Sequence, residues 1–306
     1  MNPREWALIS FTLLAQMAAG GFVVLQITRA FLVRRMKDET SRLTDLLGVA
    51  IMGILGLGML ISFLHLGSPL RAYRAVSNFG SSWLSREITF TSAFFVFGSI
   101  YSLLQWARKG SSGLRNVLAV IAGLLGLSMI YSMSRVYMIP TEPAWDHVET
   151  MISFFTAAFL LGIFLAGTGL VIRHRVLQRG ADVEEGERGT MLSEVLGVYG
   201  ILAVVLVGVE FVALPVYLAE IGNAAAASGS SLKELLTSYG VILLLRLLLV
   251  FVGAGVLGTL LYRSAGRRVW QTRLATLTIG GFSIVLLSEI LSRFLFYATR
   301  VRIGLP

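Results

Sequence analysis

Residues 150–172 read TMISFFTAAFLLGIFLAGTGLVI, 23 residues without a single Asp, Glu, Lys or Arg, and Arg173 ends the run. As an α-helix this stretch rises roughly 34 Å, at 1.5 Å per residue. That is enough to cross the hydrocarbon core of a bilayer, about 30 Å thick. Backbone amides in lipid must satisfy one another, so a run of this length spans as a helix or not at all. Seven more such stretches lie along the sequence. The expected spans are 6–33, 44–66, 87–107, 116–138, 150–172, 192–219, 238–262 and 274–298. Polar breaks separate them, the first at Arg34-Arg35-Met36-Lys37-Asp38-Glu39 and the longest charged one from Arg173 to Arg188. The pattern predicts an all-α, polytopic helical bundle with eight transmembrane helices, one membrane domain over 1–306. The first span is expected to be retained. Ala15, Ala18, Ala19 and Gly20 resemble a signal-cleavage region, but no basic cluster precedes them and the apolar run continues to Val33.

Composition agrees. Charged residues make up 14% of the protein and hydrophobic ones 56%. A soluble domain carries about 25% charged residues. Soluble, fibrous, disordered and nucleic-acid-binding readings are therefore excluded, and membrane lipid is the expected surroundings. Gly recurs inside the spans, as in Gly53, Gly56 and Gly58 or Gly253, Gly255 and Gly258. Small residues of this kind let helix backbones approach closely in a membrane.

The net charge of +9 is distributed unevenly. Loops after spans one, three, five and seven hold 15 Lys or Arg; the opposite side, with both termini, holds 7. Positive loops stay in the cytoplasm. Both termini, and the loops 67–86, 139–149 and 220–237, are thus expected outside.

Charges within spans are costly and mark function by default. Arg29, near the inner end of span one, can snorkel and is read as structural. Arg135, Glu210, Arg246, Glu289 and Arg293 all fall in the outer half, forming an expected secondary polar cluster. Glu289 and Arg293 are four residues apart and share a helix face, with Glu on the N-terminal side, as favours pairing. The plain alternative is a set of interhelical salt bridges that holds the bundle.

The sharpest candidate site joins the end of span two to the start of span three. The sequence there is Ser62-Phe63-Leu64-His65-Leu66-Gly67-Ser68-Pro69-Leu70-Arg71, then Ser82-Trp83-Leu84-Ser85-Arg86-Glu87. A short connection brings the two helix ends together, so His65 and Glu87 are expected at similar depth at the outer interface. A neutral imidazole and a carboxylate suit the two hydroxyls of a quinol, since each accepts a proton as electrons leave. Arg71 can hold or orient Glu87 by charge pairing. The same residues also admit a plainer reading. Ser85 would cap span three with Glu87 in its first turn, and His65 would simply be solvated.

Cysteine is absent and histidine occurs three times, as His65, His147 and His174. No thiolate can hold an iron–sulfur cluster or zinc, and no disulfide or thiol catalysis is available. Two bis-His haems need four ligands, which three histidines cannot supply. One haem held by His65 and His147 is disfavoured, because His147 sits in the loop around Pro140 and Pro143. The expectation is a protein with no haem, no iron–sulfur cluster, no bound metal and no catalytic residue of its own for a terminal reduction. It would instead handle a diffusible carrier and hand electrons to a partner.

Several of these segments form a recognisable set. The stretches His65-Leu66-Gly67-Ser68-Pro69 and Ser82-Trp83-Leu84-Ser85-Arg86-Glu87 resemble the DmsC-type membrane anchor of bacterial dimethyl sulfoxide reductases. So do Arg135-Val136-Tyr137-Met138-Ile139-Pro140-Thr141-Glu142-Pro143-Ala144-Trp145, Arg293-Phe294-Leu295-Phe296-Tyr297, and the opening Trp6-Ala7-Leu8-Ile9-Ser10-Phe11-Thr12-Leu13-Leu14-Ala15-Gln16. The resemblance runs the length of the sequence. It implies the haem-free anchor of a complex iron–sulfur molybdoenzyme of anaerobic respiration, in the bacterial cytoplasmic (inner) membrane. Such an anchor oxidises menaquinol to menaquinone and passes electrons to a four-cluster, ferredoxin-like iron–sulfur subunit. That subunit serves a molybdopterin catalytic subunit reducing S- or N-oxides. The soluble subunits dock on the outer face. By the resemblance, His65, Glu87 and Arg71 are the quinol-binding residues. Two rivals stand beside it: the NrfD/PsrC type of quinone-interacting membrane subunit, and a solute transporter. Pro215 in span six offers a kink of the kind transporters use, but no matched partner in another span accompanies it.

Overall fold

The structure, a computed structural model, describes residues 3–34, 37–63, 77–178, 185–223, 226–264 and 271–299. The long apolar runs form helices as their length requires: α1 (Pro3–Leu32), α2 (Lys37–Ser62), α3 (Trp83–Trp106), α4 (Ser112–Tyr137), α5 (Val148–Gln178) and α6 (Glu185–Asn223). The short α7 (Ala226–Thr237) follows, then α8 (Gly240–Val250), α9 (Leu257–Ser264) and α10 (Gln271–Ala298). A π-helical segment, Phe251–Val256, joins α8 to α9 into one span. Among the described residues, eight segments are long and apolar enough to cross a membrane, and no strand occurs.

Several boundaries move from those expected. Span three begins at Trp83, because the Ser82 side chain caps it by accepting from the Ser85 amide at 3.3 Å. Ser82, not Ser85, is therefore the cap, and Glu87 lies in the second turn. Ser111 caps α4 in the same way, after a turn made by Arg108 and Gly110 with positive φ. Helix α6 continues through Pro215 without a break. The segment 220–237, expected as a loop, contains α7 and the last turn of α6.

Short connections force alternation. One end of the bundle, the terminal end, gathers the starts of α1, α3, α5 and α8 with the finishes of α2, α4, α6 and α10. Contacts at that end agree: Trp6 stacks on Phe294, and the Tyr217 hydroxyl donates to the Ala144 carbonyl at 2.8 Å.

Helices α1 and α5 are the most buried and pack along each other at the centre. Helices α2 and α4 pack on α1 and α3 packs on both of them, while α6 and α10 pack on α5 and the α8–α9 span packs on both of those. The central crossing depends on glycine. A Cβ on Gly20 would sit 1.8 Å from the Ala158 carbonyl oxygen, and one on Gly162 would sit 2.3 Å from Gly20 itself. The expected glycines behave differently. Gly258 packs closely against Gly200, but a Cβ on Gly53 would meet open space. Gly53 therefore serves no helix contact.

At the opposite end, Arg29 is paired with side chains of α2. Its guanidinium donates to Asp45 at 2.6 Å and Thr44 at 2.7 Å, and the Gln105 amide donates to Asp45 at 3.1 Å. An ionised side chain in a span is tolerated when paired in this way.

Candidate functional site

Helices α2 and α3 run antiparallel with a constant register. A Cβ on Gly48 would meet Ser102, one on Gly98 would meet Met52, and one on Gly56 would meet Phe95. Continued one step further toward the terminal end, that register sets Phe63 level with Glu87. His65 and Arg71 themselves lie outside the described residues.

Glu87 is buried, with 6% of its surface exposed. Its backbone carbonyl accepts from Thr91, but its carboxylate makes no hydrogen bond among the described residues. It lies within electrostatic reach of the Tyr137 and Tyr297 hydroxyls. Those two hydroxyls hydrogen-bond to each other across the boundary of α4 and α10. Tyr137 is held in an aromatic cage of Trp145, Phe154 and Phe296. Trp145 stacks on Phe296 at 4.9 Å, and its Nε1–H donates to the Phe296 carbonyl at 2.8 Å. A buried carboxylate within electrostatic reach of a pair of phenols can accept, hold and release a proton.

The secondary cluster is brought together in part. Arg246 donates to Glu210 at 3.0 Å, and both are buried. The Ser288 hydroxyl donates to the Arg246 carbonyl at 2.9 Å, tying α10 to α8. Glu289 is buried within electrostatic reach of Glu210, Arg246 and Arg293. The expected Glu289–Arg293 ion pair is not formed. Arg293 turns toward α1 and α5, donating to the Gln16 side-chain carbonyl at 3.1 Å and lying 3.7 Å over the Phe154 ring. Arg135 also leaves the cluster, placing its guanidinium 5.2 Å from the Trp83 ring on α3. Arg86 covers the same ring at 4.1 Å. Both are cation–π contacts, which make one belt around Trp83.

Sequence reasoning did not single out Gln16, Tyr137, Glu149 or Tyr297. Glu149, with Arg246 and Arg293, lines a cavity of about 80 Å³ at the terminal end. Gln16, Tyr137 and Tyr297 fall inside the segments that carried the family resemblance, which was the available signal. Glu149 lies in the first turn of α5, where an acid is ordinary. His147 pairs through Nδ1 with Glu220 at 3.1 Å.

Among the described residues, no three His, Asp or Glu side chains converge as a metal site. A second opening is apolar, a groove of about 250 Å³ between α2 and α3.

Comparison with known proteins adds the lineage. Residues 1–299 match the family described as DMSO reductase anchor subunit (DmsC). The protein is 29% identical over 303 residues to one component of the anaerobic dimethyl sulfoxide reductase of Escherichia coli K12, covering 99% of this sequence and 97% of that one. It is 28% identical to the component named YnfH in the same organism, with the same coverage. It is also 33% identical over 163 residues to a component of the anaerobic dimethyl sulfoxide reductase of Haemophilus influenzae, covering 53% and 57% of the two sequences. No solved structure matches.

Proposed function

The protein belongs to the DMSO reductase anchor subunit (DmsC) family, a multi-pass membrane anchor of an oxidoreductase complex, and from that premise we propose that it oxidises menaquinol at the terminal end of the α2–α3 seam. Oxidation releases two electrons and two protons. Glu87 and His65 accept the protons from the two quinol hydroxyls, and Arg71 orients the Glu87 carboxylate. The electrons leave the protein, because without cysteine it can hold no thiolate-ligated cluster. They pass to a ferredoxin-like iron–sulfur subunit and on to a molybdopterin subunit that reduces an S- or N-oxide. Both partners dock at the terminal end, outside the inner membrane.

The observation that carries this reading is Glu87. A carboxylate inside a membrane bundle normally has a counter-charge or hydrogen-bond donors. Glu87 has neither among the described residues, yet it lies within electrostatic reach of two phenols and sits level with the end of α2. Its surroundings suit a group that exchanges protons. The Glu210–Arg246 pair reads instead as bundle structure.

The test uses the assembled membrane complex. His65→Arg and Glu87→Lys are expected to keep the complex membrane-bound and active with an artificial dye that reduces the clusters directly. Menaquinol-dependent activity should collapse, and binding of a hydroxyquinoline N-oxide should be lost. Normal menaquinol oxidation by both assembled variants would move the site elsewhere.

A further inference from the structure

The groove between α2 and α3 is lined by Met52, Gly53 and Gly56 on one side and by Phe95, Ser99 and Leu103 on the other. We infer that it holds the prenyl tail of the quinol, whose head group lies at the Glu87 end of the same seam. This rests on the reading of Glu87 and His65 given above and extends it to the other half of the substrate.

Three observations point to a tail. The first is register. Phe95 is eight residues below Glu87 on α3 and Leu103 sixteen, so the groove begins roughly 12 Å beneath the carboxylate and ends roughly 24 Å beneath it, at 1.5 Å per residue. A tail hanging from a head group at Glu87 runs straight into it. The second is chemistry. About 250 Å³ is less than the 300–1,000 Å³ of a typical small-molecule pocket, and no charged side chain lines it to orient a head group. It fits a stretch of hydrocarbon. The third is its shape. Gly53 is exposed and a Cβ there would touch nothing, so no helix contact accounts for glycine at that position. At its far end the groove reaches Ser102, beside the Arg29–Asp45–Gln105 network.

In a bilayer, apolar groove and lipid tails are equally apolar, so occupation rests on packing rather than on the hydrophobic effect. The groove's role is to fix the tail along one seam, and with it the approach of the head group. A phospholipid acyl tail is the competing occupant.

The experiment compares two quinols on the assembled complex, one with the full prenyl tail and one a tail-less naphthoquinol. Gly53→Leu fills the groove from a position where added atoms meet nothing, and Ser99→Leu fills it from the facing helix. Dye-dependent activity confirms assembly of each. The expected result is a KM for the tailed quinol raised about five- to tenfold, as for a lost uniform binding contact. The KM for the tail-less quinol and the kcat for both should not change. Equal behaviour of variant and wild type with both quinols would assign the groove to lipid and overturn the inference. A parallel rise for both quinols would show that the substitutions act on the head-group site, which overturns it as well. Failure of the underlying reading is separately visible: Glu87→Lys would then oxidise both quinols normally.

Discussion

The hydroxyls of Tyr137 and Tyr297 hydrogen-bond to one another where α4 and α10 finish side by side. The two residues are 160 positions apart, and this bond ties the half of the bundle around α1 to the half around α5. Glu87 lies within electrostatic reach of both. The pair is thus a structural clasp at the wall of the proposed quinol site.

Removing the Tyr297 hydroxyl leaves that of Tyr137 buried without its partner, which costs about 1–3 kcal/mol, whereas removing that of Tyr137 leaves Tyr297 its hydrogen bond to Thr12 and costs less. Tyr297→Phe and Tyr137→Phe should each lower the thermal midpoint of the purified complex. The double variant removes both polar groups and should recover part of the loss. Thermal unfolding in detergent reads this directly. Strict additivity of the two single effects would show that the hydroxyls do not depend on each other.

Glu210 and Arg246 give a second, stronger coupling. Breaking one partner of a buried pair typically costs about 3–5 kcal/mol, because the other charge is stranded. Glu210→Leu and Arg246→Leu should each reduce the amount of complex in the membrane, and the double variant should cost much less than their sum. A parallel cycle on Glu289 and Arg293 should show weaker coupling, since Arg293 is engaged by Gln16 and Phe154 instead. Equal coupling in the two cycles would contradict the geometry.

These two cycles also mark what the sequence could reveal. Uninterrupted apolar runs made the eight helices legible, since a bilayer leaves such segments one conformation. Helix ends were less so. The start of span three was expected at the last charge before the apolar run, Glu87, but the Ser82 cap sets it at Trp83. The i,i+4 spacing of Glu289 and Arg293 correctly put them near one another. Which partner a long guanidinium chooses depends on α1 and α5, whose positions no spacing rule supplies. Glu87 was legible as a candidate from its motif. That it falls within electrostatic reach of Tyr137 and Tyr297 was not, because the three residues lie on helices distant in sequence.

Glycine gives a sharp contrast between two positions in the same bilayer. Gly162 has no room for a side chain, since its Cβ would fall 2.3 Å from the Gly20 backbone. Gly162→Leu should therefore separate α1 from α5 and abolish accumulation of the complex. Gly53→Ala should leave accumulation at the wild-type level, because its Cβ meets nothing. Immunoblots of membrane fractions measure both. Comparable levels for the two variants would mean that the α1–α5 crossing is looser than the backbone contact requires.

Orientation decides where the protons and the partners go. The end of the bundle away from the termini is joined by loops with 15 Lys or Arg, against 7 on the terminal side, and positive loops remain cytoplasmic. By that rule the terminal end, with Glu87, the tyrosine pair and the cavity beside Glu149, is expected outside. On the proposed function, protons from the quinol would leave there without crossing the protein. If the soluble catalytic subunit takes up its protons on the same side, the reaction moves no net charge across the membrane. A C-terminal alkaline phosphatase fusion is expected to be active, and a C-terminal green fluorescent protein sent through the general secretory route is expected to be dark. The reverse pattern would place Glu87 at the cytoplasmic face, with release of protons inward and docking of the soluble subunits in the cytoplasm.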